Sequence, residues 1–424
     1  MSWAGPTELG RGRRIDPRRL LALVAVLLVG MSVVRVVTGA NDLTSSGTFG
    51  AALRLAVPIL LAGLGGLYAE RTGVVNIGLE GMMILGTWFG AWGGVEFGPW
   101  WGVVLGVAGG ALGALIHAVA SVTFGVNQIV SGVAINIIAA GVARFLSVIA
   151  FTGHGGGATQ SPQVSAALPR FTMPFLAGGG LLGWDTPDLF GWLERRHWFL
   201  VGDLAGLLGG ITRNLSVLTV LTILLVPATF VFLWRTRLGL RMRSAGENPW
   251  AAESLGVRVE RVKYLGVVIS GALAGLAGAF LVFEAAGIYR EGQTGGRGFI
   301  GLAAMIFGNW RPTGVAAAAS LFGYADALNL RSNAAIHALL LFIGAALLVL
   351  GAWYLWRRRF AGAAIALGVG VLMLVWYAVT DTVAREFIFI TPYVATLLVL
   401  TVASQRLRPP AADGVPYRRG QQTS

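Results

Sequence analysis

The sequence predicts an all-α fold, a polytopic membrane helical bundle of about 10 full spans plus a re-entrant pair, or up to 12 if both members of that pair cross. Three observations carry this expectation. Only 12% of the 424 residues are charged and 55% are hydrophobic, with a mean hydropathy of +0.72. Soluble domains carry about 25% charged residues, so this chain has too few to cover an aqueous surface. The apolar residues fall in blocks of about 20, the length that crosses ~30 Å of hydrocarbon as a helix. Glycine is abundant, at 62 residues, as in membrane helices whose backbones approach closely.

The blocks run from Leu20 to Val37, Ala51 to Tyr68, Val74 to Val95, Trp100 to Phe124 and Ile129 to Phe151. They resume with Asn214 to Trp234, Tyr264 to Ile288, Ala334 to Trp356, Gly362 to Thr380 and Phe387 to Ala403. Helices are the expected form, because an open strand would leave its backbone polar groups unpaired in lipid. Phe299 to Phe307 is too short to span. With Thr313 to Leu330, beyond the Gly308-Asn309-Trp310-Arg311-Pro312 turn, it reads as a re-entrant pair packed inside protein. The basic cluster Arg11 to Arg19 before the first block resembles the start of a signal peptide. Its apolar run of about 18 residues is longer than such a leader uses, so it counts as the first span.

Orientation follows from the basic residues. With the N-terminus inside, 21 of the 32 lysines and arginines fall on the cytoplasmic side, as the positive-inside rule requires. Both termini are then cytoplasmic. The net charge of +13 is a topology signal, and the dispersal of the arginines between spans argues against a nucleic-acid partner. The resulting organisation is a basic cytoplasmic N-terminus (1–19), membrane helices (20–151), an extracytoplasmic insertion (152–213), further membrane helices (214–403) enclosing a cytoplasmic segment (235–263), and a cytoplasmic tail (404–424).

Within the insertion, the apolar stretch from Phe199 to Ile211 is broken by Asp203 and suits an interfacial helix at most. The segment 235–263 carries its own punctuation. Asn248 is placed to cap a helix with Pro249 at its first position, Ala251, Ala252, Glu253, Ser254 and Leu255 can form one short helix, and Gly256 can end it. A helix this short has little stability in water, so its persistence predicts docking against a partner.

No catalytic constellation is visible. His117, His154, His197 and His337 are scattered without metal-ligand spacing, so no metal site is expected. Cysteine is absent, which excludes disulfides and thiolate chemistry. Lys263 is the sole lysine and Tyr264 follows it, so a phosphate-binding GxxxxGK[ST] loop cannot form. Intramembrane carboxylates are functional candidates by default. Glu80, Glu284 and Asp326 either relay protons, as in an ion- or proton-coupled secondary transporter of a small polar solute, or Glu80 and Asp326 pair with arginine or backbone groups inside the bundle while Glu284 reaches the interface. Asn76 and Glu80, four residues apart in a glycine-punctuated run, would share one face of a helix and either line a path or hold a break in that helix.

Four blocks carry a resemblance. Tyr68-Ala-Glu-Arg-Thr-Gly-Val-Val-Asn-Ile-Gly-Leu-Glu-Gly-Met-Met83 resembles the signature of ABC-importer permeases of the ribose/branched-chain-amino-acid superfamily, closest to the nucleoside and simple-sugar branch. Gly125 to Asn136 is similar to its next block, Gly246 to Gly256 to its coupling segment, and Gly298 to Pro312 to its late re-entrant region. The resemblance implies an inner-membrane permease subunit that binds no cofactor itself. A separate ABC ATPase would use ATP and Mg, an extracytoplasmic solute-binding lipoprotein would deliver nucleosides or similar neutral sugars, and a second, paralogous permease would complete the pore in the bilayer. It also implies a substrate path involving Asn76, Glu80, Asn127, Asn136 and Phe299. ATPase coupling would run through Glu247, Asn248, Pro249, Ala251, Ala252, Glu253 and Gly256.

Overall fold

The computed structural model describes residues 17–164, 167–181, 183–383 and 407–420. In chain order the helices are α1 (Pro17–Thr38), α2 (Ser46–Glu70), α3 (Leu79–Glu96), α4 (Pro99–Ala118) and α5 (Gln128–Phe151). There follow α6 (Leu189–Arg195), α7 (Val201–Gly210), α8 (Val217–Arg235), α9 (Arg237–Glu247) and α10 (Pro249–Ser254). The series closes with α11 (Val259–Phe280), α12 (Arg297–Phe307), α13 (Pro312–Arg331), α14 (Asn333–Trp356) and α15 (Phe360–Val379). Strand structure among the described residues amounts to two short antiparallel pairs, Arg170–Phe171 with Leu215–Ser216 and Gly180–Leu181 with Trp184–Asp185.

Seven of the described helices are long and apolar enough to cross a membrane: Ser46–Glu70, Pro99–Thr123, Gln128–Phe151, Val217–Arg235, Val259–Ala286, Asn333–Trp356 and Phe360–Val379. The bundle is therefore polytopic and helical, with fewer qualifying spans than the ten expected. The block from Val74 to Val95 is not one helix, because residues 71–78 are non-helical and α3 begins only at Leu79. The first expected block, Leu20 to Val37, lies within the 22-residue helix α1. The block from Phe387 to Ala403 lies outside the described residues, as do residues 1–16 of the basic N-terminus and 404–406 and 421–424 of the tail.

The chain divides into two compact units. The smaller comprises 1–46, 190–208 and 332–382. Its α14 and α15 pack along each other, with Gly351 against Leu367. Arg35, inside the first apolar block, forms a buried ion pair with Asp203 of α7 at 2.7 Å and also donates to the carbonyl of His197 at 3.2 Å. Thr44 donates to the same carboxylate. A lone buried charge would cost several kcal/mol, so the polar residue that interrupts the apolar stretch around α7 is the counter-ion of an arginine 168 residues away.

The larger unit comprises 47–189, 209–331 and 383–424. Its centre is the packing of α3, α4 and α11, and glycine sets the separation. A β-carbon on Gly86 would lie 2.4 Å from the carbonyl oxygen of Gly275, and one on Gly110 would lie 2.2 Å from that of Gly271. No side chain fits at either crossing, so the backbones themselves are in contact. At one end of this unit the loop after α5 is stitched to the segment after α11: Ser161 N–H donates to Tyr289 O at 3.0 Å and Val164 N–H to Gly287 O at 2.9 Å. Arg170 pairs with Glu284 there at 3.0 Å. The 71–78 turn, the α9–α10 segment, the 308–311 turn and the 407–420 tail meet at the other end.

Candidate functional site

The non-helical stretch 71–78 is held by side chains rather than by a helical ladder. Asn76 is completely buried. Its Oδ1 accepts from Gly78 N–H at 3.1 Å, and its Nδ2 donates to Ser270 of α11 at 2.9 Å. Asn136 of α5 reaches across to accept from Gly81 N–H at 2.7 Å and donate to Ile77 O at 3.0 Å. Gln128 accepts from Val75 N–H at 2.6 Å, and a His117 ring nitrogen meets Val75 O at 3.2 Å. Buried non-helical backbone needs partners for its polar groups, and here α4, α5 and α11 supply them. Asn76 and Glu80 therefore do not share a helical face: Asn76 precedes α3, and Glu80 lies in its first turn.

Glu80 reaches the start of α12. Its Oε1 accepts from Gly296 N–H at 2.9 Å and its Oε2 from Gly298 N–H at 2.7 Å. The carboxylate thus answers two of the unpaired N–H groups at the N-terminus of α12, where the helix dipole also favours negative charge. The approach is close: a β-carbon on Gly298 would lie 2.6 Å from the Glu80 backbone. Phe299, the next residue, is 44% exposed. Asn127 is the N-cap of α5, accepting from Ile129 N–H at 2.9 Å and Val130 N–H at 3.2 Å.

The far end of α12 is gripped too. After Phe307 the chain turns through Asn309 and Trp310, both with φ near +50°. The Trp310 indole donates to Glu70 at the end of α2 at 2.5 Å, and Trp310 O accepts from Arg71 at 2.7 and 3.2 Å. Arg71 also stacks over Trp234 at 5.3 Å and pairs with Glu247 at 3.8 Å. Burial lowers the Arg71 pKa to about 10, which leaves it charged at neutral pH. One guanidinium thus touches α8, the 308–311 turn and the segment before α10.

That segment has the anticipated punctuation. The Asn248 side chain accepts from Ala251 N–H at 3.0 Å, Pro249 opens α10, and Gly256 has φ +83°. Ala252 and Pro249 are buried, whereas Glu247, Asn248, Ala251, Ser254, Leu255 and Gly256 are exposed. The support a six-residue helix needs comes from its own chain: Val257 N–H closes on Ala252 O at 3.0 Å, and Trp250 packs on Tyr417 of the tail at 6.1 Å. Glu253 pairs with Arg419 at 3.3 Å. The sequence assigned no role to Arg71, Trp310 or the tail, and Leu255 stood there only as part of the short helix. Arg71 sat inside a quoted block, but nothing local announced its distant partners.

Residues 48–351 match the family described as branched-chain amino acid transport system / permease component. The chain is 31% identical over 377 residues to the guanosine ABC transporter permease protein NupQ of Bacillus subtilis, covering 87% of this chain and 96% of that one. It is 34% identical over 294 residues to the putative glucose ABC transporter permease protein TsgC13 of Haloferax volcanii, covering 68% and 78%. It is 31% identical over 275 residues to the nucleoside ABC transporter permease protein NupC of Lactococcus lactis, covering 63% and 76%. No solved structure matches. With the family match spanning most of the chain and seven of the described helices fit to cross a bilayer, this protein belongs to the branched-chain amino acid transport system / permease component family and is a multi-pass ABC transporter permease subunit.

Proposed function

We propose that this chain forms half of the membrane pore of an ABC importer that carries nucleosides across the inner membrane, with neutral sugars as the second substrate class. The observation that carries this reading is the alignment to nearly the whole length of a guanosine permease, supported by the nucleoside and glucose permeases beside it. ATP hydrolysis belongs to a partner ATPase, because the chain's sole lysine is outside any phosphate-binding loop. A second, paralogous permease completes the pore. Relatives named as guanosine permeases include both NupQ and NupP of one organism, and nucleoside permeases both NupC and NupB of another.

The structure supports a division of labour within the chain. Arg71, the 308–311 turn, the α9–α10 segment and the tail are the parts that the positive-inside count assigns to the cytoplasm, and their contacts converge on one end of the larger unit. α10 is the contact for the ATPase. Asn76, Glu80 and Asn136 hold the broken helix and the re-entrant helix in place beside the path, and Phe299 faces it. Glu80 is occupied by backbone amides and Glu284 by Arg170, which speaks against either as a free proton carrier. Uptake of labelled guanosine by the reconstituted complex, competed with uridine, adenosine and ribose, tests the substrate. Nucleosides should compete best; selective uptake of a branched-chain amino acid would overturn the assignment.

A further inference from the structure

The C-terminal segment 407–420 is separated in sequence from α10 by about 150 residues yet lies against it. Ala412 N–H donates to Gly246 O at 2.8 Å, and Ala411 N–H donates to Glu247 Oε2 at 3.3 Å. Tyr417 is buried between the Trp250 ring and the Lys263 ammonium, at 6.1 and 6.0 Å, and Arg419 pairs with Glu253. Arg408 N–H donates to Asn309 at 2.8 Å, tying the same tail to the re-entrant turn. These contacts leave the outward face of α10 open: Ala251 is exposed, and Leu255 at the tip is 85% exposed although it lies between the spanning helices α8 and α11 rather than within one. Beside it, Glu253, Arg258, Glu260, Arg261, Tyr417 and Arg419 contribute to a groove of about 430 Å³.

We infer that the 407–420 tail is a structural part of the ATPase-docking surface, clamping α10 from behind and forming one wall of the groove into which the ATPase fits. A six-residue helix with one side-chain cap would not hold its own orientation in water. A helix that transmits a push must be rigid, and the tail supplies a backbone hydrogen bond, an aromatic contact and an ion pair for that purpose. Leu255 commits the partner surface to an apolar pocket, and the groove's three guanidinium groups against two carboxylates suit an acidic edge around it. This rests on the reading of α10 as the ATPase contact.

The test uses the transporter assembled by co-expressing this chain with a second permease and an ABC ATPase subunit. Three variants of this chain are compared: deletion of 408–424, Tyr417→Ala with Arg419→Glu, and Leu255→Arg. The inference predicts that both tail variants reach the membrane and pair with the second permease, yet capture the ATPase at least tenfold less well. Amide exchange through 249–256 should quicken in both. Full capture by the tail variants, with capture lost only in Leu255→Arg, overturns the inference and leaves the proposed function standing. Stronger capture after deletion also overturns it, since the tail would then be a cover. If Leu255→Arg captures normally as well, α10 is not the contact and the proposed coupling role fails with it.

Discussion

Replacing Glu80 with glutamine removes one charge and almost no volume, and the geometry around it sets the size of the response. The carboxylate accepts two backbone N–H groups, from Gly296 at 2.9 Å and Gly298 at 2.7 Å. Bonds to a charged acceptor are each worth about 1.5–3 kcal/mol, against roughly 1 kcal/mol for a neutral pair. Glutamine can keep one neutral bond and must turn its NH₂ toward the other N–H, donor against donor. The expected loss is about 2–3 kcal/mol in the gripped arrangement, a factor of roughly 30 to 150 in its population. Gly298 leaves no room for the side chain to seek another pose, since a β-carbon there would already meet the Glu80 backbone at 2.6 Å. The assay pairs proteoliposome uptake with amide exchange at Gly296 and Gly298. Uptake should fall at least tenfold and exchange at both amides should accelerate, while membrane insertion is unchanged. Wild-type uptake together with wild-type exchange would refute the claim that Glu80 positions α12.

Three further outcomes follow from named contacts. Asn136→Ala frees Gly81 N–H and Ile77 O, at about 1–3 kcal/mol for each group left unsatisfied, and should lower the melting temperature and speed exchange across 77–81; unchanged exchange would contradict this. Ala251→Arg alone should abolish ATPase capture with normal protein levels, because Ala251 is exposed. Ala252→Arg, at a position 3% exposed, should instead dislodge α10, so equal proteolysis rates in the two variants would count against this division. Asp413 faces Glu70, Lys263, Arg71 and the Gly414 N–H, and burial raises its pKa from 3.8 to about 6. A raised carboxyl pKa favours docking of the protonated tail, so the contribution is full below about pH 4 and lost as pH rises through about 6. Exchange of the Ala412 amide, corrected for intrinsic rates, should show tighter docking at pH 5 than at pH 7; the opposite trend would be wrong for this pair.

Much of the scaffold is legible as hydropathy, because lipid imposes a length and a composition on any helix that crosses it. The short block from Phe299 to Phe307 and the turn after it were readable as a break between two helices for the same reason, and the helices on either side are α12 and α13. The Asn248-Pro249 start and Gly256 stop are local chemistry, and they appear where the residues place them. The break at 71–78 was only half visible. Glycine and asparagine there permit a break, but what holds it comes from Gln128, Asn136 and Ser270, 53 to 194 residues away. The pairing of Arg35 with Asp203 is hidden by the same distance. For α10, the expectation that a short helix needs external support was physically sound, but much of that support is the chain's own tail. A segment with no periodicity of its own gives no sign of what it will pack against.

The central claim is that this permease translocates solute only when a partner ATPase drives it. The direct measurement is uptake of labelled guanosine into proteoliposomes holding the assembled complex, with ATP and Mg on the ATPase side, and with a proton gradient alone. The account predicts uptake with ATP, none with a nonhydrolysable analogue, and none from the gradient without nucleotide. Uptake driven by the proton gradient in the absence of ATP would contradict it and make this chain an ion-coupled carrier.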